Sequence, residues 1–347
     1  MSYTALETQL LDLIARPAGE IAEQEFNTIA LAVYRFQRET NRPYQQFCKS
    51  QKAPAELADW RNIPAVPTSA FRHAKLVSFP EAERCATFRT SGTTGEGYGS
   101  HHFRSFRLYE ASILGAWKML ALPPLPQIIL TQRPGDAPHS SLCHMMGTLG
   151  TLGTQTWCVD AGGALDVHAL RRASESGPVL MLGTALAFLH LLERLGKERI
   201  SLSPGSQAME TGGYKGATQT LTKRELYARF AESLGLSPDA VLNEYSMTEL
   251  SSQWYTRGLG NAHHGPAWTR ALVIDPENGD EVSDGECGML RLIDLANLGS
   301  VLAIQTQDLA FRRGADFELI GRDPNAIPRG CSRSADELMH RKIDTFN

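Results

Sequence analysis

Pro178-Val-Leu-Met-Leu-Gly-Thr-Ala-Leu-Ala-Phe-Leu-His-Leu-Leu192 is the stretch whose reading decides the fold class. Val179–Leu182 is an apolar run of strand length, Gly183-Thr184 turns the chain, and Ala185–Leu195 continues as a helix. The run is too short to span a membrane and carries Gly183 and His190. The same alternation extends outward. Upstream, Gln127-Ile-Ile-Leu130 reads as a buried strand and Pro138-His-Ser-Ser-Leu142 as a polar loop entering Cys143–Met146. Gln155–Val159 reads as a strand, and Asp166–Ser176 as a helix closed by Gly177. Downstream come Met209–Gly216, a helix over Lys223–Leu234 and the segment Val241–Leu250. Strands alternating with helices of this length point to βαβ units and a mostly parallel sheet. Ligands of such sheets sit at the carboxyl ends of strands, which makes Gly183 and Thr184 candidate lining of a substrate site. A plain structural turn is the competing reading.

The flanks differ in character. Residues 4–15 and 20–40 carry helix-period apolar positions, the second run stopping at Asn41-Arg-Pro43. Proline-interrupted sequence and a short segment, Lys75–Phe79, follow; Leu108–Leu122 reads as a helix ending at Pro123-Pro124. From Ala271 to Gln307 the strands are short and glycine-punctuated, with a hairpin turn at Asp275–Glu281, and Val301–Ile304 and Phe317–Ile320 are the last strands. The expected division is therefore an α/β core over 1–265, a small β-meander over 266–320 and a short tail over 321–347.

Composition excludes several classes. A 347-residue chain with 42% hydrophobic residues can bury a large core, while 21% charge and a net charge of −4 give no argument for nucleic acid or membrane surfaces. The N-terminus shows no basic region followed by an apolar run, and no membrane span is expected. Six scattered cysteines without a C-x-x-C pair read as reduced thiols, hence a cytoplasmic protein.

The chemistry centres on Phe88-Arg-Thr-Ser-Gly-Thr-Thr-Gly95. A β-prone lead-in enters a run of glycines and hydroxyls whose successive N–H groups can form an anion-binding nest. Walker spacing is absent, and no lysine closes the run. Taken alone, a polar loop after a strand is an equal reading.

Four segments in order, Thr90–Gly95, Asn243-Glu-Tyr-Ser-Met-Thr-Glu249, Gln305-Thr-Gln-Asp308 and Gly321-Arg322, resemble the adenylate-forming superfamily, whose members react a carboxylate with ATP. The resemblance implies that superfamily's large α/β domain, mostly parallel sheets with flanking helices, plus a small β-meander. ATP and Mg²⁺ follow from it. Thr90, Ser91, Gly92, Thr93, Thr94 and Gly95 would hold the triphosphate. The segment with Asn243, Tyr245, Met247, Thr248 and Glu249 would stack the adenine, contact the α-phosphate and hold magnesium through Glu249; Asp308 and Arg322 would bind the ribose. A single Glu beside nucleotide oxygens suits Mg²⁺; a solvated acid at a helix start is the bland alternative for Glu249. Two departures stand out. The loop continues as Glu96-Gly-Tyr-Gly-Ser100 instead of Pro-Lys-Gly, and the usual C-terminal lid with its lysine is expected to be largely absent, because the sequence stops about 25 residues after Arg322. Lys215, after Gly212 and Gly213, is the candidate replacement cation, with an exposed surface lysine as the alternative.

A narrower resemblance covers nearly the whole chain. Pro138–Leu142, Leu182-Gly-Thr-Ala185, Glu210–Gly216, Asn243–Gln253 and Arg329-Gly-Cys-Ser332 together look like the LuxE-type acyl-protein synthetases. It implies activation of a fatty acid as acyl-AMP, transfer to Cys331, and delivery to an acyl-CoA-reductase-like partner. Cys331 sits among Arg322, Arg329 and Arg333 at an apparent helix start, where cations and the dipole favour thiolate; an ordinary structural thiol stays open. His101-His102, His139, His144 and His263-His264 lack metal-ligand spacing, so no metal other than Mg²⁺ is expected. His139 is a candidate acyl-site residue, and His340 could serve as a base or lie in solvent. Rival readings are a ligase that hands the acyl group to coenzyme A or a carrier protein, and a non-catalytic nucleotide-binding subunit.

Overall fold

The computed structural model describes residues 1–16, 21–90, 98–212, 221–260 and 262–322. Two compact units share the chain. The first takes Met1–Met119, Met247–Ser252 and the residues from His264 onward; the second takes Leu120–Ser246 and Gln253–His263.

In the first unit, α1 (Tyr3–Ile14) opens at Ser2, whose hydroxyl accepts the Ala5 N–H. α2 (Glu23–Thr40) buries Phe26, Ile29, Ala30, Val33 and Tyr34 along one stripe. Asn41-Arg-Pro43 does end this helix, but it also starts another. Asn41 Oδ1 accepts the Tyr44 N–H and opens α3 (Arg42–Ser50), with the proline in the first turn, where its missing N–H costs no bond. β1 (Val66–Pro67), α4 (Ala70–His73), β2 (Ala86–Arg89), β3 (Ser100–Phe103) and α5 (Arg107–Met119) follow, β2 and β3 pairing antiparallel.

The second unit runs β4 (Gln127–Ile129), α6 (Ser141–Leu149), β5 (Gln155–Trp157), α7 (Val167–Ser174), β6 (Leu180–Thr184), α8 (Ala185–Leu195), β7 (Gln207–Thr211), α9 (Lys223–Leu234), β8 (Val241–Tyr245) and β9 (Trp254–Arg257). Its sheet has the order β5-β4-β6-β7-β8-β9, parallel except for the β8–β9 pair. Met181, Ala208 and Val241 share one face and pack with Phe188 of α8 and Tyr227 and Phe230 of α9 in a single buried cluster. The chain passes from β4 to β5 on one side, then lays β6, β7 and β8 on the other. The order therefore reverses between β4 and β6, the place where open α/β sheets take their ligands.

Back in the first unit, β10 (Thr269–Ile274), β11 (Cys287–Asp294), β12 (Ala303–Arg313) and β13 (Asp316–Arg322) form an antiparallel meander. Of the expected strand at Val301–Ile304 only Ala303 and Ile304 are strand, the start of an 11-residue one that runs on to Arg313. β12 is long because it pairs β1 in parallel through Ile304 and Gln305 and β13 through Asp308–Arg313. The hairpin turn at Asp275 closes through Gly279, whose N–H donates to Asp275 O from a φ of 84°.

This division differs from a 1–265 core followed by a meander. The unit change at His263/His264 falls beside the expected boundary, but the first 119 residues belong with the meander. Side chains far apart in sequence bind them there: Gln37 donates to the carbonyls of Asn297 and Leu298 and accepts the Leu302 N–H, and Asn41 donates to Ser300 O.

Candidate active site

In the first unit, β2 and β3 carry the hydroxyl-rich loop. Thr90 and Gly99 close its base, the Thr90 N–H donating to Gly99 O and the Gly99 N–H to Thr90 Oγ1, both at 2.9 Å. A Cβ on Gly99 would lie 2.9 Å from that hydroxyl, so the closure leaves no room for a side chain. Ser91, Gly92, Thr93, Thr94 and Gly95 lie outside the described residues, as do Gly213, Lys215 and Cys331.

The segment from Met247 to Ser252 is a tight turn, with the Leu250 N–H donating to Met247 O at 3.0 Å. Three residues hold it. His101 of β3 faces the Thr248 carbonyl through Nδ1 at 2.7 Å. Burial pushes that imidazole down to about 4, so the ring is neutral at neutral pH and carries its proton on Nδ1, where it donates to the carbonyl. Asn297 Nδ2 donates to Glu249 O at 2.9 Å, and its Oδ1 accepts the Ser251 hydroxyl. Asp294, at the end of β11, accepts the Ser251 N–H at 2.8 Å and the Ser252 hydroxyl at 2.7 Å. Burial raises its carboxyl to about 6, while these hydrogen bonds pull the other way. Trp268 Nε1 donates to Ser112 and Ser252 at 3.0 and 3.1 Å, completing a polar cluster inside the unit.

Thr248 and Glu249 are thus presented from a backbone fixed at several points. Glu249 is 9% exposed, and among the described residues no three His, Cys, Asp or Glu converge to cage a metal. One carboxylate with nucleotide oxygens fits magnesium, which keeps much of its shell from water and phosphate. Asp308 and Arg322 are brought together: they are directly opposed in the β12–β13 register. The Asp308 N–H is anchored by Thr306 Oγ1 at 3.1 Å.

In the second unit, Asn243 and Tyr245 stand on the same face of β8, at its carboxyl end. Asn243 is locked from both sides. Its Nδ2 donates to Glu210 Oε1 at 2.6 Å, and its Oδ1 accepts His263 Nε2–H at 2.7 Å. Tyr227 of α9 donates to the same Glu210 oxygen at 3.0 Å. Burial lifts Glu210 to about 7 despite these donors. The Tyr245 ring lies 6.1 Å from His263 and 6.5 Å from Trp254, edge-on to both. Gly212, just after β7, is exposed with a φ of 69°.

The acyl-site candidates flank the reversal of strand order. His139 lies in an exposed turn between β4 and α6, immediately before Ser140, which caps α6 through the Cys143 N–H. Thr184 caps α8, its Oγ1 accepting the Ala187 N–H at 2.9 Å. Gly183 is a close-approach position: a Cβ there would come within 2.9 Å of Leu130 Cβ and 3.4 Å of Phe188. The expected turn at Gly183-Thr184 is absent: both residues end β6, and α8 starts at the next residue.

The neighbouring histidines part company. His102 meets Thr87 and His101 meets Thr248; His263 meets Asn243 and His264 meets Asp316. His101, Asp294, Glu210, Glu244 and His263 are functional-site neighbours that motif reading does not find. The signal available for two of them is a carboxylate inside an otherwise buried strand, Glu210 in Gln207–Thr211 and Glu244 in Val241–Tyr245.

No family model matches the chain. Two curated relatives do. The long-chain-fatty-acid–luciferin-component ligase of Vibrio harveyi is 22% identical, covering 99% of this chain and 97% of its own. The enzyme of the same name from Aliivibrio fischeri is 21% identical over 89% of this chain and 87% of its own. Among solved structures, an open 2-hydroxyisobutyryl-CoA ligase with its acyl-AMP and CoA superposes with a TM-score of 0.66 at 16% identity, over 87% of this chain and 71% of that one. ATP-bound MatB of Rhodopseudomonas palustris gives 0.50 at 16% identity, over 79% of this chain and 51% of that one. The chain therefore has the fold of the adenylate-forming ligases and, along nearly all of its length, is similar in sequence to the LuxE-type long-chain-fatty-acid–luciferin-component ligases.

Proposed function

We propose that the protein activates a carboxylic acid, a fatty acid in keeping with the names of its relatives, as acyl-AMP and passes the acyl group through Cys331 to a reductase-like partner protein. The observation that carries the reading is the similarity to acid ligases along 99% of the chain, with the nucleotide segment at the carboxyl end of a parallel strand.

In the adenylation step a carboxylate oxygen bonds to the α-phosphorus of ATP and pyrophosphate leaves with the bridging oxygen. The transition state is crowded and anionic, so catalysis is positioning and charge neutralisation. Thr248 meets the α-phosphate from its pinned turn, and Lys215 adds positive charge. Glu249 would hold magnesium, which would supply neutralisation of phosphate charge. The Thr90–Gly95 loop binds the triphosphate, Gly212 and Gly213 let the backbone approach the nucleotide, Tyr245 and Asn243 receive the adenine, and Asp308 with Arg322 receive the ribose. His139, Gly183 and Thr184 border the acyl group. The five described cysteines are all free thiols, in keeping with a reducing, cytoplasmic setting. Among the described residues no helix is long and apolar enough to cross a membrane.

The test is carboxylate-dependent exchange of labelled pyrophosphate into ATP across acids of increasing length. Exchange with one length class supports adenylation; no exchange from a protein that binds ATP, with or without candidate partners, refutes it. Cys331→Ser should keep exchange and lose the labelled acyl-protein adduct. The fold likeness to a CoA ligase favours a second reading, direct transfer to coenzyme A, which predicts that Cys331→Ser leaves thioester formation intact.

A further inference from the structure

Asp294 ends β11 in the first unit, fully buried, and its carboxyl accepts three hydrogen bonds. Oδ2 takes the Ser251 N–H at 2.8 Å; Oδ1 takes the Ser252 hydroxyl at 2.7 Å and the Ala296 N–H at 3.0 Å. The donors behind them run in one direction. Ser252 commits its proton to Asp294, so its oxygen receives the Ser112 hydroxyl at 2.9 Å and the Trp268 Nε1–H at 3.1 Å. α5, the residue before β10 and the turn at 247–252 thereby converge on one anion. Ser112 and Ser252 are as buried as Asp294, so these groups have no water to fall back on. A neutral carboxylic acid would break the pattern. Its proton would sit on an oxygen that meets donors, and the chain would have to reverse or leave an N–H without its acceptor.

Holding a charge at this position opposes folding. Burial raises the carboxyl from 3.8 to about 6, while the hydrogen bonds from Ser252, Ser251 and Ala296 pull it down. The cations on the surrounding elements are engaged elsewhere. Arg107 of α5 is bonded to Glu7, Arg270 of β10 to Glu23 and Arg291 of β11 to Gln305. His101 of β3 is neutral on the Thr248 carbonyl, and Glu110 of α5 and Glu249 of the turn are themselves acids. The anion is therefore held by hydrogen-bond donors, and two of its three bonds come from the turn that presents Thr248 and Glu249. A buried carboxyl whose ionisation is pushed away from its ordinary value, and which weakens the fold when charged, is the pattern of a functional site.

We infer that Asp294 is a positioning residue for adenylation: as the carboxylate, and not as the neutral acid, it fixes Ser251 and Ser252 so that the turn presents Thr248 and Glu249 in the reactive arrangement. This rests on the adenylation reading above and adds to it a buried residue that acts through the turn without meeting substrate. The lever is short, because Ser251 and Ser252 follow Thr248-Glu249-Leu250 directly, and the Leu250 N–H closes the turn on Met247 O. A displacement of about 1 Å at groups that neutralise a crowded anionic transition state is enough to cost ~100-fold in rate.

The experiment is pyrophosphate–ATP exchange by the full chain, wild type against Asp294→Asn, from about pH 5 to about pH 8. At the acid end the wild-type group is neutral like the amide, so the ratio of the two kcat values should start near one. It should rise ~10–100-fold through a midpoint near pH 6, with titrations of ATP and of the acid cancelling in the ratio. The KM for the acid should stay within about two-fold. Stability should move the other way. The contribution of a raised carboxyl is present below 3.8 and lost as pH rises through about 6, so urea unfolding should show wild type weakening relative to Asp294→Asn as it gains activity. A carboxyl with a merely structural role would make activity follow stability. Ser252→Ala removes a donor that lowers the carboxyl, so it should move the acid limb of the exchange profile to higher pH, and it decides the matter if Asp294→Asn does not fold. A ratio flat with pH, exchange that tracks stability, or a limb that Ser252→Ala leaves in place overturns the inference and leaves adenylation standing. Absence of exchange with every acid overturns both.

Discussion

Replacing His101 with leucine removes the N–H that holds the Thr248 carbonyl while keeping an apolar side chain of similar bulk in a site that is 2% exposed. Taking the donor from a buried carbonyl costs about 1–3 kcal/mol. Loss of the ring contact with Phe103, centroids 4.3 Å apart, adds about 0.5–1.5 kcal/mol, so His101→Leu should destabilise the protein by about 2–4 kcal/mol at neutral pH. The pH dependence is a sharper check. Burial lowers the histidine from its ordinary 6.5 to about 4. A lowered histidine contributes stability that is fully present above 6.5 and lost as pH falls towards 4, about 3 kcal/mol at 1.36 kcal/mol per pH unit. Leucine does not titrate, so the gap between wild type and variant should shrink by about that amount on acidification, while other titrations cancel in the difference. Urea unfolding of both proteins at about pH 7.5 and about pH 4.5 reads this directly. In pyrophosphate exchange His101→Leu should lose ~10–100-fold in rate through misplacement of Thr248 and Glu249, and His101→Asn, which keeps an N–H near the Nδ1 position, should recover part of it. A stability gap under about 1 kcal/mol at neutral pH, or one that does not change with pH, would refute the reasoning.

Glu244 titrates in the opposite sense. Burial raises its carboxyl from 4.5 to about 7, so its contribution is fully present below 4.5 and lost as pH rises through 7. Relative to Glu244→Gln, wild type should lose about 2–3 kcal/mol between about pH 5 and about pH 8, measured by urea melts; a gap flat across that range would show that the carboxyl is not held up. Gly183→Ala should cost about 1–3 kcal/mol and lower the melting temperature, because the new Cβ meets Leu130 Cβ at 2.9 Å, next to backbone that cannot swing away. An unchanged melt would mean that β6 and its surroundings adjust freely there.

Local chemistry was readable wherever neighbours in sequence suffice to determine structure. The strand and the helix to Leu195 stand where the apolar run and the helical period put them, with Gly183 and Thr184 extending the strand instead of turning and Thr184 capping the helix, because hydrophobic period and capping act within a few residues. Asp308 and Arg322, singled out separately by their motifs, are set opposite each other by the register of β12 and β13, which no reading of either motif contained. What the residues could not reveal in order along the chain is which distant groups meet. Asn41 reads as a helix stop, yet the same side chain opens the next helix and its amide reaches Ser300. His101 reads as one of several paired histidines, yet it is the clamp on Thr248, 147 residues away. Glu210 and Glu244 read as ordinary acids, yet parallel pairing buries them on opposite faces of one sheet with different partners. Periodicity and capping are properties of a local stretch of backbone. The ionisation of a buried carboxyl and the tautomer of a buried imidazole depend on solvent exclusion and on donors that only the folded chain brings within 3 Å.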